Sequence, residues 1–165
     1  MDCRSAVEVC ELIVERAAEF NHVNVATALR RVLQSRGDGV PRQLEEQALH
    51  ALEAAALRTI DAFGAQQVAN TLHIMAKTHY RPRDPSLVPA LEVRAEALAD
   101  TFNTQQVANT LWAYATMGWE PGAGLMRDLE GRAEALAGTF NTQDVANTLW
   151  EYATSTLRKF VATLT

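Results

Sequence analysis

Apolar residues recur along this chain at helical spacing, and the spacing itself recurs. In "FNTQQVANTLWAYATMG", residues 102–118, Val107, Ala108, Leu111, Trp112 and Ala115 fall at i, i+1, i+4, i+5 and i+8. That is one stripe along a helix. Asn103 or Thr104 is placed to cap its start, with Gln106 three residues after Asn103 in capping-box fashion. Gly118 supplies the stop. A second helix begins near Pro121, a residue tolerated in a first turn, and presents Leu125, Leu129, Ala133 and Leu136 before Gly138 closes it. The preceding stretch repeats the arithmetic, with Pro82 and Pro85 ahead of Leu87, Leu91, Ala95 and Leu98.

This two-helix sentence is written several times. Phe20, Phe63, Phe102 and Phe140 stand 43, 39 and 38 residues apart, and each is followed five residues later by Val-Ala. Leu29, Leu72, Leu111 and Leu149 keep a common offset. Thr101–Thr116 matches Thr139–Thr154 at 14 of 16 positions, and "LEVRAEALAD" (91–100) matches "LEGRAEALAG" (129–138) at 8 of 10. Neither helix type carries enough apolar surface to fold alone, so neighbours must stack to share a core. The expected fold is all-α, an α-solenoid of helix-turn-helix repeats of about 38 residues wound as a right-handed superhelix. It forms one domain over 1–165, with a half repeat (1–19), a divergent repeat (20–62), two full repeats (63–101 and 102–139) and a partial repeat (140–165). Terminal repeats normally present a polar cap, whereas Leu157, Phe160, Val161 and Leu164 form an apolar stripe. The stripe is either a makeshift cap or the sign of a longer array, and we read the chain as a fragment of such an array.

Composition removes several functional classes. The chain is long enough for one core, with ordinary hydrophobic (48%) and charged (21%) fractions. A net charge of −5 argues against a strongly basic nucleic-acid binder. No run approaches the length of a membrane span. Cys3 and Cys10 are seven apart, too far along a helix to be bridged, and read as small apolar side chains in a reducing compartment. The first twenty residues carry five acids against Arg4 and Arg16, and read as neither a transit peptide nor a secretory signal. His22, His50, His73 and His79 have no metal-ligand spacing, and no HExxH, CxxC, GxSxG or phosphate-cradling loop is present. The expectation is therefore a non-enzyme with no cofactor, metal or membrane partner. Arg94 and Glu96, like Arg132 and Glu134, lie two apart, cannot face one another on a helix, and read as solvated surface.

The polar positions of the first helix type are more informative. Gln105, Asn109 and Thr116 form one column beside Trp112, repeated as Gln143, Asn147 and Thr154 and as Gln66, Asn70 and Lys77. Amides offer donors and acceptors together, which suits base edges or peptide backbones. Asn70, Asn109 and Asn147 can equally be a structural ladder between neighbouring helices. A position identical in every unit cannot tell one base from another, so specificity belongs where units differ. Those sites are Gln67/Gln106/Asp144, His73/Trp112/Trp150 and Ile74/Ala113/Glu151. Trp112 and Trp150 are either core residues or stacking platforms. "KTHYRPR" sets Lys77, Arg81 and Arg83 around Tyr80, and Arg30, Arg31, Arg36 and Arg42 cluster upstream. An aromatic among arginines can stack on a base while guanidiniums meet phosphates, although solenoid turns are also simply wet and charged.

A unit of about 38 residues containing "VANTLWAYATMGWEP" resembles the octotricopeptide repeats of algal organelle proteins. Related helical repeats occur in proteins with FAST-kinase-like and RAP domains and in RNA-editing substrate-binding complex subunits. The resemblance covers about residues 63–155 well and 20–62 loosely. It implies single-stranded RNA binding in a mitochondrion or chloroplast, on the face of the first helix type, in support of transcript stability, processing or translation. The rival expectation is a scaffold whose face takes a protein partner. Charge on the folded face separates them: gathered basic residues favour RNA, an acidic or apolar groove favours protein.

Overall fold

The structure, a computed structural model, describes residues 5–37 and 39–139. Among these residues every regular element is helical: α1 (Ala6–Arg16), α2 (His22–Gln34), α3 (Arg42–Thr59), α4 (Ala65–Lys77), α5 (Leu87–Leu98), α6 (Thr104–Met117) and α7 (Ala123–Ala135). Each of α1, α3, α5 and α7 is followed by a three-residue 3₁₀ turn. In the first three cases that turn delivers the chain to Phe20, Phe63 or Phe102. Phe63 and Phe102 are fully buried and Phe20 partly so. Burying one such ring contributes about 2–3 kcal/mol, which explains why every unit restarts on it.

The starts of the even-numbered helices are fixed locally. Asn103 accepts from the Gln106 backbone N–H at 2.9 Å, and the Gln106 side chain accepts in return from the Asn103 N–H at 2.9 Å. The expected capping box is present. At α2 the same box is built by Asn21 and Asn24. α6 ends on Gly118 in the left-handed region (φ +70°), where a side chain would be strained, so the expected stop is also present. Two boundaries differ from expectation. α7 starts at Ala123, two residues after Pro121, and Gly138 lies inside a 3₁₀ turn beyond the helix end.

Packing sorts the helices into two sets. α2 lies against α4, and α4 runs along α6 in the most extensive helix contact among the described residues. α1, α3, α5 and α7 contact one another in the same order, and α2–α3 and α4–α5 join the two sets. Both helices bury small side chains, Ala69 and Ala76 on α4 and Ala108, Ala113 and Ala115 on α6, alongside Leu72, Met75 and Leu111, and small residues let helices pack closely. Thr71 and Thr110 are buried here too, and their hydroxyls have no hydrogen-bond partner among the described residues. No helix among the described residues is long and apolar enough to cross a membrane, and those residues contain no cluster of His, Cys, Asp and Glu fit to hold a metal.

Candidate functional site

The even-numbered helices share a groove. Arg30 and Gln34 of α2, Asn70, His73, Ile74 and Lys77 of α4, and Gln105, Asn109 and Trp112 of α6 line a volume of about 590 Å³. A second depression of about 310 Å³ lies beside it, where Gln66, Gln67 and Asn70 face Thr27 and Arg30. The electrostatics of this face depart from those of the whole chain. α2, α4 and α6 carry Arg30, Arg31 and Lys77 and not one carboxylate. α1, α3, α5 and α7 carry eleven carboxylates against six arginines. Arg30 and Lys77 are exposed and form no ion pair among the described residues. Among the described helices, the negative charge is thus carried by the odd-numbered set.

The polar residues expected on this face divide into open and committed groups. Asn70 is exposed and Asn109 half-buried, and neither amide hydrogen-bonds within the protein among the described residues. Asn70 and Asn109 therefore make no ladder with one another, and Asn147 lies outside the described residues. Gln105 is likewise exposed in the groove. Gln67 and Gln106 are committed, because each side-chain carbonyl holds the N–H at its own helix start, from Gly64 at 3.1 Å and from Asn103 at 2.9 Å. At the third variable position Ile74 is 4% exposed at the groove floor and Ala113 is sealed in the core, while Glu151 lies outside the described residues.

The middle variable position presents its rings to the groove. His73 and Trp112 meet ring to ring, centroids 4.9 Å apart and planes tilted by 40°. Trp112 is half-buried and also packs on the core, so it is both a core residue and part of the groove wall. Burial, and then the neighbouring Lys77, hold the His73 imidazole below its ordinary pKa. Its Nδ1 is shielded from solvent without a partner. Gln143, Asp144, Asn147 and Trp150, with the apolar stripe ending at Leu164, lie outside the described residues.

Arg81 and Arg83 gather at Tyr80 as the sequence suggested, joined by Arg36 and Arg42, but these groups are already engaged within the protein. Tyr80 is buried, 7% exposed, and its hydroxyl donates to the Glu53 carboxylate. It is therefore a core residue and offers no platform to a base. Burial, followed by Glu53, raises its phenol above the ordinary value. The Arg81 guanidinium donates to the Met117 carbonyl at 3.0 Å, and Arg83 pairs with Glu46 at 2.9 Å. Arg42 pairs with the same Glu46, and Arg36 with Glu45. These groups line a hollow of about 610 Å³, but its guanidiniums already have oxygen partners. Lys77 alone of the turn's cations joins the α2–α4–α6 groove.

What the sequence reading missed is how the other helix set spends its charges. Arg94 donates to the Phe63 carbonyl at 2.8 Å and Arg132 to the Phe102 carbonyl at 2.7 Å. Both are part-buried, not solvated surface. Arg58, about one turn further along its helix, reaches the Ala17 and Phe20 carbonyls. Glu53, 1% exposed, accepts from the Tyr80 hydroxyl and from the backbone N–H groups of Arg83 and Asp84. Glu92 accepts from the Tyr114 hydroxyl at 3.0 Å and the Gly122 N–H at 2.8 Å. A Cβ on Gly122 would sit 2.6 Å from that carboxylate, so a larger residue would push the Glu92 side chain aside. The usable signal was recurrence. Leu-Glu appears at 52–53, 91–92 and 129–130, and arginine recurs two residues after the second and third.

The chain is similar to one described family. A family model described as a protein of unknown function (DUF1601) matches residues 41–72, 99–111 and 137–149, about a third of the chain. Each match ends on an equivalent leucine, Leu72, Leu111 or Leu149. The first two therefore cover the junctions where α3 hands over to α4 and α5 to α6. No curated protein matches the sequence.

Proposed function

We propose that the protein is a non-catalytic RNA-binding module, a right-handed α-solenoid whose even-numbered helices receive single-stranded RNA in support of organellar transcript metabolism. The observation that carries this reading is the charge division between the two helix sets. Among the described residues one face is free of carboxylates, holds two unpaired cations and offers the open amides of Asn70, Gln105 and Asn109. Donor-acceptor amides beside an aromatic suit unpaired bases better than they suit the apolar face of a partner helix. The resemblance of the repeats to octotricopeptide units supports the same reading.

Fluorescence anisotropy with labelled mixed-sequence single-stranded RNA tests it. Binding is expected at micromolar protein or tighter at low salt. The slope of log K against log salt should be about −1.4, two phosphate contacts at about 0.7 each. Absence of any signal at high protein concentration and low salt overturns the proposal. A salt-independent affinity for an unstructured peptide in its place would favour the protein scaffold.

A further inference from the structure

The RNA reading leaves open what the groove recognises, because two cations make a weak phosphate site and backbone attraction alone cannot do much. Resting on that reading, we infer that the α4–α6 half of the groove is a subsite for one unpaired base, which stacks on the Trp112–His73 pair with its edge toward the Asn109 and Gln105 amides.

Position 73 of α4 and position 112 of α6 are equivalent in their units, and neighbouring helices bring the two rings into contact at 4.9 Å. No third ring fits between rings already that close, so a base extends the pair from its open side instead of entering it. His73 suits this role as a neutral ring. Its Nδ1 is enclosed without a partner, and a proton there would add an unpaired donor next to Lys77. That favours the tautomer with the proton on Nε2, leaving Nε2 as the nitrogen for a ligand. The amides that would meet the base edge hold no hydrogen bond within the protein among the described residues, so a ligand need displace no internal bond. Arg30 and Lys77 lie on the α2 and α4 walls, where flanking phosphates would meet them.

The test uses the full chain with two labelled probes of equal length, a base-bearing oligoribonucleotide and an abasic ribose-phosphate oligomer, read by anisotropy and by tryptophan quenching. The base-bearing probe should bind about tenfold tighter than the abasic one. Trp112→Ala should erase most of that difference. Trp112→Phe keeps a ring and should retain part of it, while losing the quenching that Trp112 reports. Thermal unfolding of each variant checks the fold, and the base-versus-abasic comparison in the native chain stands even if Trp112→Ala fails to fold. Equal binding of the two probes, or full retention of the preference in a folded Trp112→Ala, overturns the subsite while RNA binding itself stands. If neither probe binds the native chain, the RNA reading fails and the subsite with it.

Discussion

The two helix sets are built on the same repeat and use their polar side chains in opposite ways. In α1, α3, α5 and α7 charge is plentiful, and its central members are consumed within the protein. Arg58, Arg94 and Arg132 each hold a phenylalanine carbonyl, while Glu53 and Glu92 each hold a following turn. In α2, α4 and α6 charge is scarce, yet Arg30, Lys77, Asn70 and Asn109 are left without internal partners among the described residues. The contrast teaches that the polar group most important to the fold need not be the one most repeated on the surface. A side chain is structural when its hydrogen bonds are already made, and free for a ligand when they are not.

If that division holds, damage to the odd-numbered helices should cost stability and spare binding. Glu53→Ala strips the acceptor from three donors at once, and urea unfolding should show a loss of about 3 kcal/mol. Arg132→Ala orphans the Phe102 carbonyl and should cost about 2 kcal/mol. Arg132→Lys should recover only part, because a point charge replaces a planar fork. Either variant, tested below its melting temperature, should bind RNA as the native chain does.

Tyr80→Phe should cost about 1.5 kcal/mol at neutral pH by leaving Glu53 one donor short. It also probes alkaline behaviour. Burial first, then Glu53, raises the Tyr80 phenol, and burial first, then Glu92, raises that of Tyr114. Each phenol therefore adds stability that is complete below pH of about 10 and is lost as pH rises further. Unfolding free energy followed from pH 8 upward should fall above that point, and the fall should be shallower in Tyr80→Phe.

Changes on the even-numbered helices should do the reverse. Lys77→Glu places the first carboxylate on the groove and should weaken RNA binding by about tenfold at low salt, with the salt slope reduced by about 0.7. Its melting temperature should hardly move. The smallest expected effect has the opposite sign. Thr110→Val replaces a sealed, unpartnered hydroxyl with a methyl group and should raise stability by about 0.5–1 kcal/mol in the same urea assay.

The apolar half of this architecture was readable from the chain, and the polar half only in part. Val68, Leu72, Val107 and Leu111 are buried where the periodicity put them, because helix period and burial are both local properties. The Asn103 box and the Gly118 stop are local as well. Tyr80, Arg94 and Arg132 were misjudged for one shared reason: their partners lie about 30 residues away, on another element. Spacing on a helix says that Arg94 cannot face Glu96, and it says nothing about a carbonyl delivered by the preceding 3₁₀ turn. Asn70 and Asn109 illustrate the converse. Their recurrence allowed either a ladder or an open surface, and among the described residues neither amide reaches a partner.

The glutamate and arginine bonds also set a rule for lengths. Each arginine fastens its own unit's opening phenylalanine, and each glutamate fastens the turn of the unit that follows. Remove residues 63–101 as a block and Glu53 would next meet Tyr114 and Gly122, the very donors Glu92 now serves. Remove half as many and neither fastening finds its mate. A gene of this kind can be lengthened or shortened only in whole steps, so its history should be written in duplications and losses of entire units and hardly at all in small insertions within them.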